Sequence, residues 1–422
     1  MPALEAFPAI RHEIGGVSIA ELVQKFGTPT YVYDAAKIVE RIEDLSRFDV
    51  VRYAQKACSN IAILDLARRH GAVVDAVSAG EIHRALRAGF TIGTEPPQIV
   101  YTADIFDRDS LALVLKHHIP VNCGSPDMID QLGEAAPGRN ITLRINPGFG
   151  HGHSQKTNTG GEQSKHGIWH EQLDDCLRRA DRHGLGVTGL HMHIGSGTDL
   201  EHLGQVCGAM ERTALQVGRT ITSISAGGGL PIPYNESQSY VDLDRYFELW
   251  DATRKRLEQR FGHAISLEIE PGRYLSAEAG YLVAEIRTVK QMGHNHFYLL
   301  DAGFNCLARP ILYGAYHPMS IAPANQDRDR PRLEVVVGGP LCESGDIFTQ
   351  QEGGFVCKRE LPAAGVGDYL VIERAGAYGF VMSSNYNSKP LPAEVLIQDG
   401  RPHLVRERQT LEDLVRGEHL VR

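Results

Sequence analysis

The chain has 422 residues, of which 42% are hydrophobic, and a formal net charge of −9 at pH 7. This length predicts two domains, and the net negative charge argues against a nucleic-acid-binding surface. The sequence contains no run of about 18 apolar residues that would predict a membrane helix, and its N-terminal segment predicts no secretion signal. Seven scattered cysteines without CxxC pairs indicate reduced thiols in the cytoplasm, with neither a disulfide framework nor a metal site.

The first part of the chain contains one short strand candidate, TYVYD (30–34), which could join either of two later domains. From about residue 48, β-rich runs alternate with amphipathic helical runs, two of which close on Gly71 and Gly89 as expected for helix C-termini. The eight β-rich runs are VRYAQ (51–55), VVDAVS (73–78), IVYTA (99–103), VNCGS (121–125), ITLRINP (141–147), VTGLHMHI (187–194), SISAGGG (223–229) and SLEIEPG (266–272). Eight such units predict a (β/α)8 barrel over residues 31–276, with a doubly wound open sheet as the alternative.

After residue 280 the pattern changes, because strand-like runs follow one another without helical runs between them. Examples are AGYLVAEIRTVKQM, HFYLLDAG, LEVVVGG and DYLVIER. This pattern predicts an antiparallel β domain, formed by residues 1–30 and 277–422, beside the barrel of an α/β protein. One long, glycine-rich segment (148–167) follows the fifth barrel strand, and its role is left open.

Barrel enzymes place their chemistry at the C-terminal ends of the strands, so the residues at those ends are the candidates. Lys56 follows the first strand, where partial burial of an amine favours Schiff-base chemistry. Taken alone, a lysine is more often a solvated surface residue.

The later strand ends supply three further kinds of group. Three glycines follow the seventh strand, where backbone N–H groups can approach a phosphate closely, although a glycine run alone is equally typical of a tight turn. Glu270 follows the eighth strand as a carboxylate, and His193 ends the sixth strand as a flat ring. Ser196, after the sixth strand, can add a hydroxyl to the phosphate site formed by the three glycines. The glycines are Gly227, Gly228 and Gly229.

Together these groups describe one cofactor, pyridoxal 5'-phosphate. A lysine bonds to its aldehyde, a glycine nest holds its phosphate, a carboxylate meets its pyridine nitrogen, and an imidazole stacks on its ring. The four features lie at four different strand ends, so chance explains their combination poorly.

Several longer motifs make the chain resemble the barrel-type pyridoxal decarboxylases and alanine racemases of fold type III. The resemblance is closest to the diaminopimelate decarboxylase family, and it runs over nearly the whole chain. It rests on FDVVRYAQKACSN, NPGFGHGHSQKTNTGGEQSKHGIW, HMHIGSG, ISAGGGL, EIEPGR, GPLCESGD and SSNYNS. Membership of the alanine racemases is disfavoured, because their catalytic pattern lacks the CESGD motif that this chain contains.

The resemblance implies a role for each matching residue. Lys56 carries the cofactor, His193 stacks on it, and Glu270 meets its ring nitrogen, while Cys342 and Glu343 of CESGD serve catalysis. The other residues that the resemblance places at the cofactor are Ser196, Gly227, Gly228, Gly229, Gly272, Arg273 and Tyr378.

Substrate choice depends on a few residues beyond these. Diaminopimelate carries a second carboxylate, and the arginine fork suits a carboxylate bidentately. In the resembling enzymes, residues matching Arg273, Arg309 and Tyr313 hold this distal carboxylate. Glu343 meets the distal amine, and Tyr378 borders the substrate. For Arg309, a structural ion pair is the competing interpretation.

The sequence therefore predicts decarboxylation of meso-2,6-diaminopimelate to L-lysine and CO2, the last step of lysine biosynthesis. A related decarboxylase acting on D-lysine, D-ornithine or a citrate-conjugated diamine is the alternative, and a non-catalytic pyridoxal-binding regulator is a third hypothesis. The resemblance further implies a homodimer whose active sites are shared, with the β domain of one chain completing the barrel of the other. Neither a membrane nor a nucleic acid is an expected partner.

Overall fold

The computed structural model describes residues 7–150, 160–193, 200–324, 330–351 and 353–421. The chain forms two compact units. The first comprises Val39–Pro231 and Tyr240–Leu275, and the second comprises Pro2–Ile38, Ile232–Ser239 and Ser276–Arg422. None of the described helices is long and apolar enough to cross a membrane.

The described chain opens with elements that mostly belong to the second unit. They are β1 (Glu13–Ile14), β2 (Val17–Ser18), α1 (Ile19–Phe26), β3 (Thr30–Asp34) and α2 (Ala35–Glu43). The hydroxyl of Ser18 accepts the N–H of Glu21 and so caps the start of α1.

The first unit is a closed barrel of eight parallel strands, as the sequence predicts. The barrel strands are β4 (Val50–Ala54), β5 (Val73–Ala76), β6 (Ile99–Ala103), β7 (Val121–Cys123), β8 (Asn140–Asn146), β10 (Gly186–His191), β11 (Ser223–Ser225) and β12 (Ser266–Ile269). The short β9 (Ile168–Trp169) pairs with β8 outside this ring. Pairing of β12 with β4 and of β8 with β10 closes the sheet. Closure excludes the open doubly wound alternative.

Helices follow the barrel strands. They are α3 (Ile61–Arg69), α4 (Ala79–Arg87), α5 (Arg108–Lys116), α6 (Pro126–Ala135), α7 (Leu173–Arg182), α8 (Leu200–Val217), α9 (Leu243–Phe261) and α10 (Arg273–Ser276). Gly71 and Gly89 lie just beyond the ends of α3 and α4 with φ of +85° and +88°. Both glycines therefore occupy the left-handed position at which a helix commonly ends, as predicted.

The second unit is built on a separate, mostly antiparallel sheet. Its later elements are β13 (Gly280–Met292), β14 (Asn295–Leu300), α11 (Arg309–Tyr313), β15 (Met319–Ala322), β16 (Arg332–Gly338), β17 (Arg359–Pro362), β18 (Tyr369–Ile372), β19 (Ala393–Gln398), β20 (Arg401–Arg406) and α12 (Leu411–Leu414). The strands run in the order β17-β16-β14-β13-β3-β19-β20, and β18 pairs with both β13 and β15. Two pairs, β14 with β16 and β3 with β19, are parallel.

The strand β3 lies between β13 and β19, so TYVYD belongs to the second sheet. Tyr31 and Tyr33 are fully buried there, and their hydroxyls donate to the carbonyl of Cys306 and to the carboxylate of Glu394. The first unit accordingly begins at residue 39, whereas the sequence analysis placed the start of the barrel at residue 31.

Candidate active site

Lys56 follows β4 in a single 3-10 turn, Gln55–Ala57. Its neighbours Gln55 and Ala57 are fully buried, whereas Lys56 is exposed, so the partial burial that the sequence analysis expected of this amine is not observed in the single chain. The turn therefore anchors the backbone in the barrel while the amine reaches out at the C-terminal end of the strands. The positive charge of Lys56 acts on Asp75, Glu81 and His193 in the same unit.

His193 lies just past β10 and contacts the glycine turn that follows β11. The N–H of Gly228 donates to Nδ1 of His193 over 2.9 Å, so this ring nitrogen carries a lone pair. Burial and the positive charges of Arg144 and Lys56 hold the pKa of His193 well below its usual value. The ring is therefore a neutral imidazole at pH 7.

Two glycines of this turn, Gly227 and Gly228, have no room for a side chain. A Cβ on Gly228 would lie 2.5 Å from the carbonyl oxygen of Glu270 and 3.3 Å from Cε1 of His193. Gly227 has a φ of +63°, and a Cβ there would lie 2.4 Å from the carbonyl oxygen of Met192. Bare backbone is thus the only surface that this turn can present to a ligand.

Glu270 follows β12 and is almost completely buried. Its Oε2 lies 2.6 Å from Nε2 of His191, and its Oε1 accepts the hydroxyl of Ser225 over 3.2 Å. Burial raises the pKa of Glu270, but the charge and hydrogen bond of His191, together with Arg52, lower it to about 2. This buried carboxylate therefore stays ionised at neutral pH.

Asp75 in β5 shows the opposite behaviour, and the sequence analysis did not single it out. Burial and the negative charge of Glu270 raise its pKa to about 7. Its Oδ1 has no hydrogen-bond partner among the described residues. Two carboxyl groups whose environments push their pKa values apart are typical of sites that handle protons. The only signal in the sequence is an acidic residue inside the apolar run VVDAVS.

The barrel brings these groups together because β10, β11, β12 and β4 are consecutive neighbours in the sheet. The C-terminal ends of these four strands carry His193, the glycine turn, Glu270 and Lys56. Gly272 packs beside the first strand end, since a Cβ there would lie 3.3 Å from atoms of Ala54 and Ala57. Arg273 begins α10. Ser196 lies outside the described residues.

The segment 148–167 is described only at its two ends. Oδ1 of Asn146 accepts the N–H groups of Gly148 and Gly161. His166 lies 2.6 Å from a carboxylate oxygen of Asp104, at the end of β6. Both ends are therefore tied to barrel strands.

In the second unit, Arg309 begins α11 and is buried. Its Nη1 donates to the hydroxyl of Tyr234 over 3.1 Å and to Nε2 of His317 over 2.9 Å. Tyr313 ends the same helix four residues later, so the two side chains leave it on the same side.

The CESGD motif forms a loop after β16. The N–H of Cys342 donates to Oδ1 of Asn387 over 2.7 Å, and the hydroxyl of Tyr386 lies 3.5 Å from a carboxylate oxygen of Glu343. Cys342 and Glu343 are exposed. The SSNYNS segment, for which the sequence analysis had no role, therefore holds this loop in place. Tyr378 adopts a left-handed backbone conformation with a φ of +56°.

The chain was compared with known families and proteins. Residues 35–277 match the family model described as the pyridoxal-binding domain of pyridoxal-dependent decarboxylases. The chain is 54% identical to the diaminopimelate decarboxylase of Escherichia coli strain K12 over 400 residues, which cover 94% of this chain and 95% of that protein. It is 53% identical over 418 residues to the diaminopimelate decarboxylase of Streptomyces coelicolor, covering 99% of this chain and 95% of that protein.

A solved structure supports the same relationship. A crystal structure of a diaminopimelate decarboxylase superposes with a TM-score of 0.93 at 53% identity, covering 97% of this chain and 98% of that one. With identity above one half along almost its entire length, this chain belongs to the diaminopimelate decarboxylase family of the pyridoxal-dependent decarboxylases.

Proposed function

We propose that this chain removes one carboxylate of meso-2,6-diaminopimelate as CO2 and releases L-lysine, with pyridoxal 5'-phosphate as its cofactor. The observation that carries the proposal is the set of four groups at adjacent strand ends, in a chain that shares half of its residues with diaminopimelate decarboxylases.

The residues present fit this cofactor. A buried carboxylate that stays ionised suits a pyridine nitrogen, and Glu270 is such a group. A turn that excludes side chains suits a phosphate, as Gly227 and Gly228 provide. Gly229 continues this turn with a φ of +100° and would contribute its backbone to the same phosphate site. The neutral face of His193 suits an aromatic ring, and the exposed amine of Lys56 suits an aldehyde. We infer that Ser196 adds a hydroxyl to the phosphate site, with Gly272, Arg273 and Tyr378 bordering the cofactor.

When bound, pyridoxal phosphate acts as an electron sink for the electron pair left behind as CO2 departs. The chain's own groups bind, orient and move protons. Glu270, ionised far below neutral pH, would accept a hydrogen bond from the ring nitrogen and so keep that nitrogen protonated. Lys56 would hold the cofactor through its side-chain amine and would give up this bond to the substrate amine. Cys342 or Lys56 then delivers the proton that replaces the lost carboxylate.

The substrate's second carboxylate distinguishes diaminopimelate from basic amino acids such as D-lysine. Arg309 is the cation that we assign to it, with Arg273 and Tyr313, while Glu343 meets the distal amine. The deciding assay measures CO2 release from meso-diaminopimelate beside L-lysine, D-lysine and D-ornithine. Faster release from D-lysine or D-ornithine than from diaminopimelate would overturn the substrate assignment in favour of a related decarboxylase.

We further propose that the enzyme is a homodimer in which Cys342 and Glu343 of one chain complete the barrel site of the other. The exposure of both side chains in the single chain supports this arrangement. Lys56→Ala and Glu343→Ala, each nearly inactive alone, are unfolded together and refolded in equal amounts. Because a two-fold interface exchanges equivalent patches, half of the dimers are mixed and each holds one intact site, so about a quarter of wild-type activity returns. No recovered activity, with mixed dimers verified by mass, would contradict a shared site.

The cysteines support a cytoplasmic location for this enzyme, which we propose on that basis. All seven are free thiols, and Cys342 is exposed. An exposed thiol that must stay reduced for catalysis suits a reducing compartment. Fractionation of cells that produce the protein should recover its activity with cytoplasmic enzymes.

A further inference from the structure

His317 is a fully buried imidazole that the proposed mechanism does not use. It lies four residues after the end of α11 and two residues before β15. The strand β15 pairs with β18, matching Met319 with Ile372, and the next residue, Glu373, donates its N–H to the carbonyl of Pro318. The backbone on both sides of His317 is therefore fixed by the sheet of the second unit.

Both ring nitrogens of His317 have partners that determine where its proton lies. Nδ1 lies 3.0 Å from the carbonyl oxygen of Glu373, which can only accept a hydrogen bond. Nε2 lies 2.9 Å from Nη1 of Arg309, which can only donate. The imidazole must therefore be neutral, with its proton on Nδ1 and a lone pair on Nε2 that points at the guanidinium.

The same guanidinium nitrogen has a second acceptor. Nη1 of Arg309 donates to the hydroxyl of Tyr234 over 3.1 Å, and the guanidinium carbon lies 4.9 Å from the centroid of the Tyr234 ring. Tyr234 and His317 also pack edge to face, with their ring centroids 5.4 Å apart. The two protons of Nη1 can thus be directed to these two acceptors, which fixes the direction in which the guanidinium points.

These two acceptors orient the arginine without cancelling its charge, since a neutral imidazole and a phenol are both uncharged. A carboxylate in place of His317 would form an ion pair with Arg309 and weaken its attraction for an anionic ligand. A buried guanidinium held in one direction by two neutral acceptors suits a carboxylate ligand.

We propose that His317 is a positioning residue that determines substrate specificity, because its Nε2 lone pair aims Arg309 at the distal carboxylate of the substrate. The inference rests on the proposed role of Arg309 in binding that carboxylate. It predicts that His317 matters for a substrate with two carboxylates and not for D-lysine, which has the reacting centre but lacks the distal carboxylate.

The test compares two amide substitutions at this position. His317→Gln can place an acceptor oxygen near the position of Nε2, whereas the shorter His317→Asn reaches only the position of Nδ1. Half-saturating concentrations are measured on the holoenzyme from the visible spectrum of the bound cofactor, titrated with meso-diaminopimelate or D-lysine. For His317→Asn we expect the half-saturating concentration to rise roughly 10- to 100-fold for diaminopimelate and to stay unchanged for D-lysine. For His317→Gln we expect the value for diaminopimelate to return to within about threefold of wild type.

The inference would be overturned if the half-saturating concentration rose equally for both ligands, or equally in the two amide variants. Either result would show that His317 has a merely structural role. Tyr234→Phe provides a second variant in case the buried position tolerates no change. It removes only the other acceptor, so the half-saturating concentration should rise for diaminopimelate alone, and an unchanged preference between the ligands would count against the inference.

Arg309→Ala separates this inference from the proposed function. If that variant keeps the wild-type preference for diaminopimelate over D-lysine, the role of Arg309 is wrong. If Arg309→Ala abolishes the preference while the His317 and Tyr234 variants keep it, only the positioning role fails.

Discussion

Replacing Asp75 by asparagine should change how the stability of the barrel depends on pH. Burial and the charge of Glu270 raise the pKa of Asp75 from 3.8 to about 7 in the folded chain. The folded chain thus keeps this proton up to about pH 7, whereas the unfolded chain releases it near pH 4. The proton on Asp75 therefore contributes to the free energy of unfolding at low pH, and this contribution is lost as the pH rises towards 7.

The size of the effect follows from the difference between the two pKa values. A difference of about 3 pKa units corresponds to about 4 kcal/mol in total, of which about 3 kcal/mol is lost between pH 5 and pH 8. The asparagine amide cannot ionise and avoids this loss. The free energy of unfolding of Asp75→Asn, relative to wild type, should therefore rise by about 3 kcal/mol over this pH range.

The assay is urea unfolding of cofactor-free protein at several pH values, followed by tryptophan fluorescence. Both tryptophans, Trp169 and Trp250, lie in the first unit, so the signal reports on the barrel. Asp65→Asn is the matched control. Burial raises the pKa of Asp65, but Arg68 and Arg69 lower it below its usual value, so its effect on stability should be constant from pH 5 to pH 8. A constant difference between wild type and Asp75→Asn would refute the reasoning.

Three further substitutions test the proposed site. Lys56→Ala should abolish turnover and remove the visible absorbance of the bound cofactor, and borohydride-reducible cofactor on another lysine would refute the assignment. Glu270→Gln keeps the shape but loses the negative charge, so kcat should fall about a hundredfold while cofactor stays attached; an unchanged kcat would disprove its role. Arg309→Ala should cost roughly 2–5 kcal/mol of transition-state binding for diaminopimelate, with little change in cofactor affinity. Wild-type kinetics of that variant would point to another substrate.

The barrel was predictable because its pattern is local. Parallel strands buried on both faces leave short apolar runs, and helices between them end on glycines such as Gly71 and Gly89. The C-terminal ends of barrel strands converge, so residues far apart in sequence, such as Lys56 and Glu270, can be assigned to one site from the strand pattern.

The place of TYVYD could not be predicted in this way. A strand of five residues has the same sequence pattern whether it completes a barrel or a second sheet. Only tertiary pairing decided it, because β3 finds β13 on one side and β19 on the other. The parallel pairing of β3 with β19 likewise joins elements from opposite ends of the chain, which no local signal encodes.

The sequence alone thus determined the barrel, the strand-end residues and the family motifs, since each depends on local spacing or on a fixed end of the barrel. Tertiary structure alone decided how those groups ionise and what orients them. The raised pKa of Asp75 depends on burial and on Glu270, almost two hundred positions later. The convergence of Tyr234 and His317 on Arg309 depends on the segment around residue 234 folding against residues 309–317. Burial and charge proximity are properties of the folded chain, and no short stretch of sequence contains them.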